Sequence, residues 1–364
     1  MKCRALLLFF ACYPLGLPPV AADQPDTRHG TTIITHPGYS HEGGFTLIAQ
    51  DSNNPQWALD LSGSLDLVAH LPMGSGYWTL YVEGSTTPAA NGVGAWLPQA
   101  NADLGSALNA KGHGRVQLSV IHFTHPFAGG ALSLGLLDAA GFLDRSEVAN
   151  DETRQFLALE FVNNPTLKRP DYHLGAAWHF NATRRHPGLT LVAGSSHGLA
   201  ENGGRYDELV KVSAPDKGLF FAAEGYGYIS RYLWRIGLWA NTAPTDHQKH
   251  HGGVYFNLDG NEERLRWNLR AGAADAGSND PKAFLALAGE TSLKTAALGV
   301  GVAWSRFPRA MPTHENQFHI ESYLRFDITR NLCISPHLQW LWPSPQDSGP
   351  KAIWILGVRL TQLF

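Results

Sequence analysis

The sequence predicts an all-β chain, a transmembrane antiparallel β-barrel of about 16 strands of the bacterial outer-membrane type. Three observations predict it. Apolar and polar residues alternate over many separate segments, the period of a strand with one greasy and one wet face. The wet face carries arginines and carboxylates in mid-strand while the greasy face carries large aromatics, which suits lipid outside and water inside. Short and long connections alternate along the chain, as in barrels whose two rims face different compartments.

Composition narrows the class. The 364 residues are 44% apolar and carry 28 Lys+Arg against 31 Asp+Glu, so no basic excess marks a nucleic-acid binder. Mean hydropathy is −0.17, too low for a bundle of apolar membrane helices. Charged residues are 16%, below the roughly 25% of a soluble domain. With 38 Gly, 11 Trp, 11 Tyr and 17 Phe the chain does not read as disordered.

Residues 1–22 read as a signal peptide: Lys2 and Arg4 precede an apolar run from Ala5 to Tyr13, and Val20-Ala21-Ala22 places small residues at the cleavage positions. The mature chain then begins at Asp23 and keeps Cys333 as its one cysteine, which leaves no internal disulfide. Residues 23–43 are a short N-terminal periplasmic segment, too small for the plug of an energy-coupled transporter, and 44–364 form the barrel.

The strands follow in order. Trp57, Leu59, Leu61, Gly63, Leu65 and Leu67 alternate with Ala58, Asp60, Ser62, Ser64 and Asp66. Trp78, Leu80 and Val82 alternate with Tyr77, Thr79, Tyr81 and Glu83, and Val116, Leu118 and Val120 with Arg115, Gln117 and Ser119. Trp234, Ile236 and Leu238 flank Arg235, and Leu265, Trp267 and Leu269 alternate with Arg266, Asn268 and Arg270. Phe318, Ile320, Leu324 and Phe326 oppose His319, Glu321, Tyr323, Arg325 and Asp327. The full parse is 44–51, 56–70, 77–85, 114–125, 131–138, 172–181, 189–197 and 218–227, then 231–241, 252–259, 264–274, 282–290, 296–305, 316–328, 332–341 and 351–364. The longest connections are 86–113, 139–171 and 198–217. The chain ends on Phe364 after an amphipathic run through Trp354, Leu356, Val358 and Leu360, as bacterial barrels do.

These residues resemble a known family. Glu321-Ser322-Tyr323, Pro336-His337-Leu338-Gln339, Gly357-Val358-Arg359 and the final Phe364 resemble carbohydrate-selective porins of the OprB type. Trp267-Asn268-Leu269-Arg270-Ala271-Gly272 resembles a strand of that family. Gly135-Leu136-Leu137-Asp138, Gln155-Phe156-Leu157 and Asn163-Asn164-Pro165 resemble its fifth strand and third loop. This chain departs in having Leu136 where the family has a basic residue, and in its shorter loops. The resemblance implies a passive channel in the bacterial outer membrane, with small carbohydrates and membrane lipid as partners, no nucleic acid, and no cofactor. Monomer and trimer are both compatible with it.

Counting from the short turns, Arg270, Glu321, Arg359 and Glu224 fall nearest mid-height on the inner face. Arg266, Arg235, Tyr323, Arg325 and Glu83 share that face. The sharp expectation is a pore-lining set in which guanidinium donors and carboxylate acceptors meet sugar hydroxyls. The bland expectation, of about equal weight, is a set of wall braces. Loop 139–171, with Asp144, Arg145, Glu147, Asp151 and Arg154, has the charges to fold inward and dock on the wall. A pore for organic acids or other anions is the competing solute class.

Other motifs are weak. Gly194-Ser195-Ser196-His197-Gly198 matches the serine-hydrolase elbow, a match expected by chance in roughly one such chain in four, and it sits where a strand enters a loop. An outer-membrane hydrolase therefore ranks last, and no catalytic residue is assigned. His247, His250 and His251 beside Asp246 have metal-ligand spacing, but a solvated loop explains them and no metal is expected.

Overall fold

The computed structural model describes residues 38–104, 107–183, 186–244, 251–275, 280–308, 315–344 and 350–364. The signal-peptide expectation, most of 23–43, and Asp246, His247 and His250 lie outside them. Sixteen strands form one closed antiparallel sheet, each paired with its sequence neighbours. They are β1 (Ser40–Ser52), β2 (Asp60–Met73), β3 (Gly76–Ser85), β4 (Val116–Phe127), β5 (Gly130–Leu137), β6 (His173–Phe180), β7 (Gly188–Ser195) and β8 (Leu219–Ile229). The circuit continues with β9 (Tyr232–Asn241), β10 (His251–Asn261), β11 (Leu265–Ala274), β12 (Ala283–Ser292), β13 (Ala297–Arg306), β14 (Asn316–Asp327), β15 (Leu332–Trp342) and β16 (Ile353–Leu363).

Alternation decides which face each side chain takes. On β12, Leu285 and Leu287 are 48% and 55% exposed while Ala286 and Ala288 are buried. The same contrast separates Trp354, Leu356 and Val358 from Ile353, Ile355 and Arg359 on β16. An outer band of exposed leucines, valines and aromatics belongs against lipid, and the closed sheet leaves no unpaired edge within it. No helix among the described residues is long and apolar enough to cross a membrane. β1 closes on β16, and the last residue completes the seam: Gly43 N–H donates to Phe364 O at 3.2 Å and Phe364 N–H to Gly43 O at 2.9 Å.

The rims differ as the connections require. Two-residue turns join β2 to β3 and β4 to β5, with Gly74 at φ 60° and Gly129 at φ 87°, the left-handed conformation such hairpins need. The opposite rim carries the long loops. β5, β6 and β7 have eight residues each, which leaves a notch there. The β7–β8 loop fills it: Tyr206 Oη accepts from Leu118 N–H and donates to Leu118 O, supplying β4 with the partner that β5 is too short to provide.

Three local expectations are corrected. β1 starts at Ser40, four residues before the expected start, because Ser40 to Gly43 pair with β2. β2 starts at Asp60 instead of 56, so Trp57 leaves the lipid-facing row and packs inside the mouth against Val93, Leu97 and Ile353. Val120 also faces inward. A bulge sets Tyr81 opposite Val120 and Val82 opposite Leu118, so Ser119 is unpaired and the alternation slips by one.

Candidate functional site

The connection from β5 to β6 folds into the barrel. It begins with Asp138, whose carboxylate accepts Ala140 N–H at 2.8 Å and caps a short 3-10 turn. Asp144 then takes φ 55° and offers its carboxylate to Asn164 N–H at 3.1 Å, to Asn257 Nδ2 at 2.9 Å and to Arg270 Nε at 2.9 Å. The Arg270 guanidinium also donates to the carbonyls of Asp144, Ala149 and Phe161 at 3.0–3.1 Å. One buried arginine thereby gathers three separated stretches of the loop. A charge enclosed in this way is tolerable only when it is paired and hydrogen-bonded.

Other wall residues repeat the device. Glu224 accepts Asp144 N–H at 2.7 Å. Glu321 accepts Leu157 N–H at 2.8 Å, Ala158 N–H at 2.7 Å and His337 Nδ1 at 2.8 Å. Arg359 donates to Glu152 O at 2.7 Å, Arg325 to Arg154 O at 2.9 Å, and Thr361 to Thr153 O at 2.6 Å. Arg154 pairs with Asp327 at 2.6 Å, and Glu160 faces His319 Nδ1 at 3.0 Å. Apolar pegs complete the docking: Phe156 and Phe161 pack on Phe284, Ala286, Ala303 and Tyr323. A β-carbon at Gly272 would overlap Thr166 Oγ1, and one at Gly301 would lie 2.7 Å from the Phe161 ring, so small wall residues make the room.

All nine inner-face residues singled out from the sequence point inward, and this settles how open they are. Glu83, Glu224, Arg235, Arg270, Glu321, Tyr323 and Arg359 are buried, and only Arg266 and Arg325 keep partial exposure. The expectation that Arg270, Glu321 and Arg359 stand in lumen water is therefore corrected, because alternation fixes a face but not what fills the space in front of it. Glu290 ties Arg266, Arg325 and Tyr323 together; Arg235 pairs with Asp259 at 3.0 Å; Glu83 accepts from Tyr172 Oη at 2.5 Å. Of the loop charges, Asp144 and Arg154 grip the wall. The Asp151 carboxylate instead caps its own turn through Thr153 and Arg154, and Glu147 contributes its carbonyl to Gln155. Arg145 is exposed to the lumen.

A second loop, between β3 and β4, also turns inward, which the sequence reading did not anticipate. Asp60 accepts Gly94 N–H at 2.7 Å and Ala89 N–H at 3.1 Å, while Gln50 and Gln339 both donate to Ala100 O. Ala102 N–H reaches Leu157 O at 2.8 Å, joining the two loops.

What remains open is a chain of three cavities. The outer one, about 530 Å³ on the long-loop side, shares Gln99, Leu159, Asn163, Arg169 and Asp171 with a middle one of about 710 Å³. The middle one shares Asp138, Gly141 and Arg145 with an inner one of about 480 Å³ on the short-turn side. Asp138, Arg145, Glu152, Arg169 and Asp171 thus face a common path. Burial raises the Asp138 carboxyl against the pull of Arg169, and burial with Asp151 nearby pushes Glu152 up to about 8. Burial likewise carries Asp103 to about 7. Of these, the sequence reading singled out only Arg145 for its charge and met Asp138 only as the end of the Gly135-Leu136-Leu137-Asp138 motif; the signal for Arg169 and Asp171 was the run Lys168-Arg169-Pro170-Asp171 just before β6.

The serine motif gains nothing. Ser196 Oγ lies 2.8 Å from His197 Nδ1 but accepts Gly218 N–H, at a strand-to-loop junction with no helix following. Among the described residues no group of three or more His, Cys, Asp and Glu side chains is placed to hold a metal.

The chain matches the model of no known protein family. Over 47 residues it is 45% identical to an uncharacterized protein of Aquifex aeolicus, a match spanning 13% of this chain and 15% of that one. In fold it is similar to OprB of Pseudomonas putida, with a TM-score of 0.71 and 12% identity over 90% of this chain and 94% of the other. It is also similar to a mutant of the Rh. blastica porin, with a TM-score of 0.55 and 10% identity over 90% and 100%. OmpT, an outer membrane protein of Vibrio cholerae in its trimer form, gives a TM-score of 0.55 and 10% identity over 90% and 99%. The architecture is that of sixteen-stranded porin barrels.

Proposed function

We propose that this chain is an outer-membrane porin for passive diffusion of monosaccharides and related small polar solutes. The observation that carries the reading is the chain of adjoining cavities, narrowed by two inward loops, inside a closed barrel with a lipid-compatible exterior. Its middle section mixes Arg145 and Arg169 with Asp138, Glu152 and Asp171, and adds Gln99, Asn163 and Tyr172. Such a lining offers donors and acceptors to hydroxyls without one dominant sign of charge, which favours neutral polar solutes over ions. The named subject of the most similar barrel reported above, OprB, agrees with the resemblance of the sequence motifs. In this reading Arg270, Glu321, Arg359 and Glu224 shape the pore by holding the loop, and the solute meets the loop's own charges.

Arg145, exposed in the lumen on both the middle and the inner cavity, is the observation that favours anionic solutes instead. Swelling of liposomes containing the purified protein, with glucose, mannitol, gluconate and succinate in parallel, tests both. Faster swelling in glucose and mannitol supports the proposal. Faster uptake of the two acids, or no swelling at all, refutes it.

A further inference from the structure

The inner cavity has a wall unlike the rest of the lumen. Its charged groups stand at two edges, Glu42 of β1 on one side and Asp138, Arg145, Glu224 and Arg235 on the other. Between those edges the wall is built around β3, where alternation sends Tyr77, Thr79 and Tyr81 inward in succession. They span roughly 14 Å along the strand at about 3.4 Å per residue. Across the sheet, Thr79 is in register with His70 of β2 and with His122 of β4, so an imidazole flanks it on each side.

The rings are held in place. Tyr81 Oη donates to Asp66 at 2.6 Å, and His70 Nδ1 lies 3.1 Å from Thr79 Oγ1. Tyr77 meets the His70 ring edge-on, with centroids 5.8 Å apart at 81°. Tyr81 in turn meets Tyr172, with centroids 6.3 Å apart, and Tyr172 lines the middle cavity. Aromatic side chains therefore run from the short-turn mouth to the constriction, with a hydroxyl and imidazoles between them. His70, Tyr77, Thr79 and Tyr81 are half-buried, so part of each faces the cavity.

This combination suits one chemical class. A pyranose ring presents C–H faces that pack on aromatic rings and equatorial hydroxyls that exchange hydrogen bonds with Thr and His. A carboxylate solute lying on this track would face phenol and hydroxyl groups, with Arg145 and Arg235 only at the other edge of the cavity. The cavity of about 480 Å³ is large enough for one such ring.

We propose that the β3 track, Tyr77–Thr79–Tyr81 with His70 and His122, is a pyranose-binding subsite between the constriction and the short-turn mouth. It rests on the sugar-porin reading and adds a second resting place to it. A sugar that has passed the loop lingers here before release, and a sugar entering from the short-turn side meets this track first.

Glucose-induced current noise in single channels tests the subsite, with glucose added to one side at a time. Tyr77→Leu removes a ring face and Thr79→Val removes a hydroxyl at nearly constant shape. Each shortens glucose residence about three- to tenfold, the range of one lost hydrogen bond or ring contact, and the effect is larger for glucose added at the short-turn side. The heat-modifiable gel shift of each variant reports that the barrel is folded, and either variant alone suffices. Unchanged residence in a folded variant, while the parent still shows glucose noise, overturns the subsite and leaves the porin reading standing. A parent with neither glucose noise nor glucose-driven swelling overturns both.

Discussion

From β10 to β16 the inner wall carries Asp259, Arg270, Glu290, Glu321 and Arg359, all buried beneath an inward loop. From β2 to β4 it carries His70, Tyr77, Thr79 and Tyr81, half-buried beside open space. Both walls are made by the same alternation, and both face the axis. The difference lies in charge. Buried guanidinium groups donate to loop carbonyls and buried carboxylates accept from loop amides, and a hydroxyl wall could not hold them so firmly, since charge-assisted hydrogen bonds are about twice as strong as neutral ones. The charged wall thus keeps the loop, and the half-buried stretch of β2 to β4 near the short turns keeps the passage; farther along the same strands Asp60 and Glu83 are buried against loop groups as well. In a barrel, mid-strand charge is not by itself a mark of the solute path.

Variants that break this division should rank by how much of the loop they release. Arg270→Ala should have the largest effect. It leaves Asp144 buried without its cation and frees three carbonyls, a local loss of about 3–5 kcal/mol. The barrel still forms, and the mean single-channel conductance rises with frequent excursions to a wider state. Glu321→Gln is expected next. An amide oxygen can replace one carboxylate oxygen toward Leu157 and Ala158 N–H but loses the charge, for about 1–3 kcal/mol. Hydrogen exchange at Leu157 and Ala158 should speed up while exchange in β14 does not. Gly301→Leu sharpens the packing half of the comparison. The new side chain would displace Phe161, and protease access to the segment near 156–162 should increase in otherwise intact barrels.

The smallest expected effect is on pH response. Glu152 has its carboxyl raised to about 8, so it is neutral at pH 6 and becomes charged as pH rises through that value. A raised carboxyl disfavours the docked loop increasingly above the unfolded value near 4.5, and that cost is complete only above about 8. Ion selectivity should therefore move toward cations between pH 6 and 9, and Glu152→Gln should flatten that shift. A reversal potential that responds equally in both proteins would assign the titration elsewhere.

The barrel was legible because its signal is repeated sixteen times. Each strand says little, but Leu285 and Leu287 against Ala286 and Ala288, and the same contrast around the ring, fix face and order. The final Phe364 was readable for the same reason, as the end of one more amphipathic strand. The site was legible only in part. Arg270 and Glu321 could be placed inward, yet a period of two cannot report that a loop covers them. Val120 was misplaced because a bulge shows no residue type of its own, and Trp57 because alternation outlasts the sheet by a few residues. The constriction groups Asp138, Arg169 and Asp171 lie in loop ends, where no periodicity operates.

The central claim is that loop 139–171, held on the charged wall, sets the width of the passage. Its most direct measurement is the single-channel conductance of a chain lacking residues 145–154, which carry the span between the Asp144 anchor and the Glu321 anchor. The account predicts a rise of about twofold or more in a folded, heat-modifiable barrel. A correctly inserted deletion variant with the parent's conductance would contradict it, and would make the loop a lid over a pore narrowed by something else.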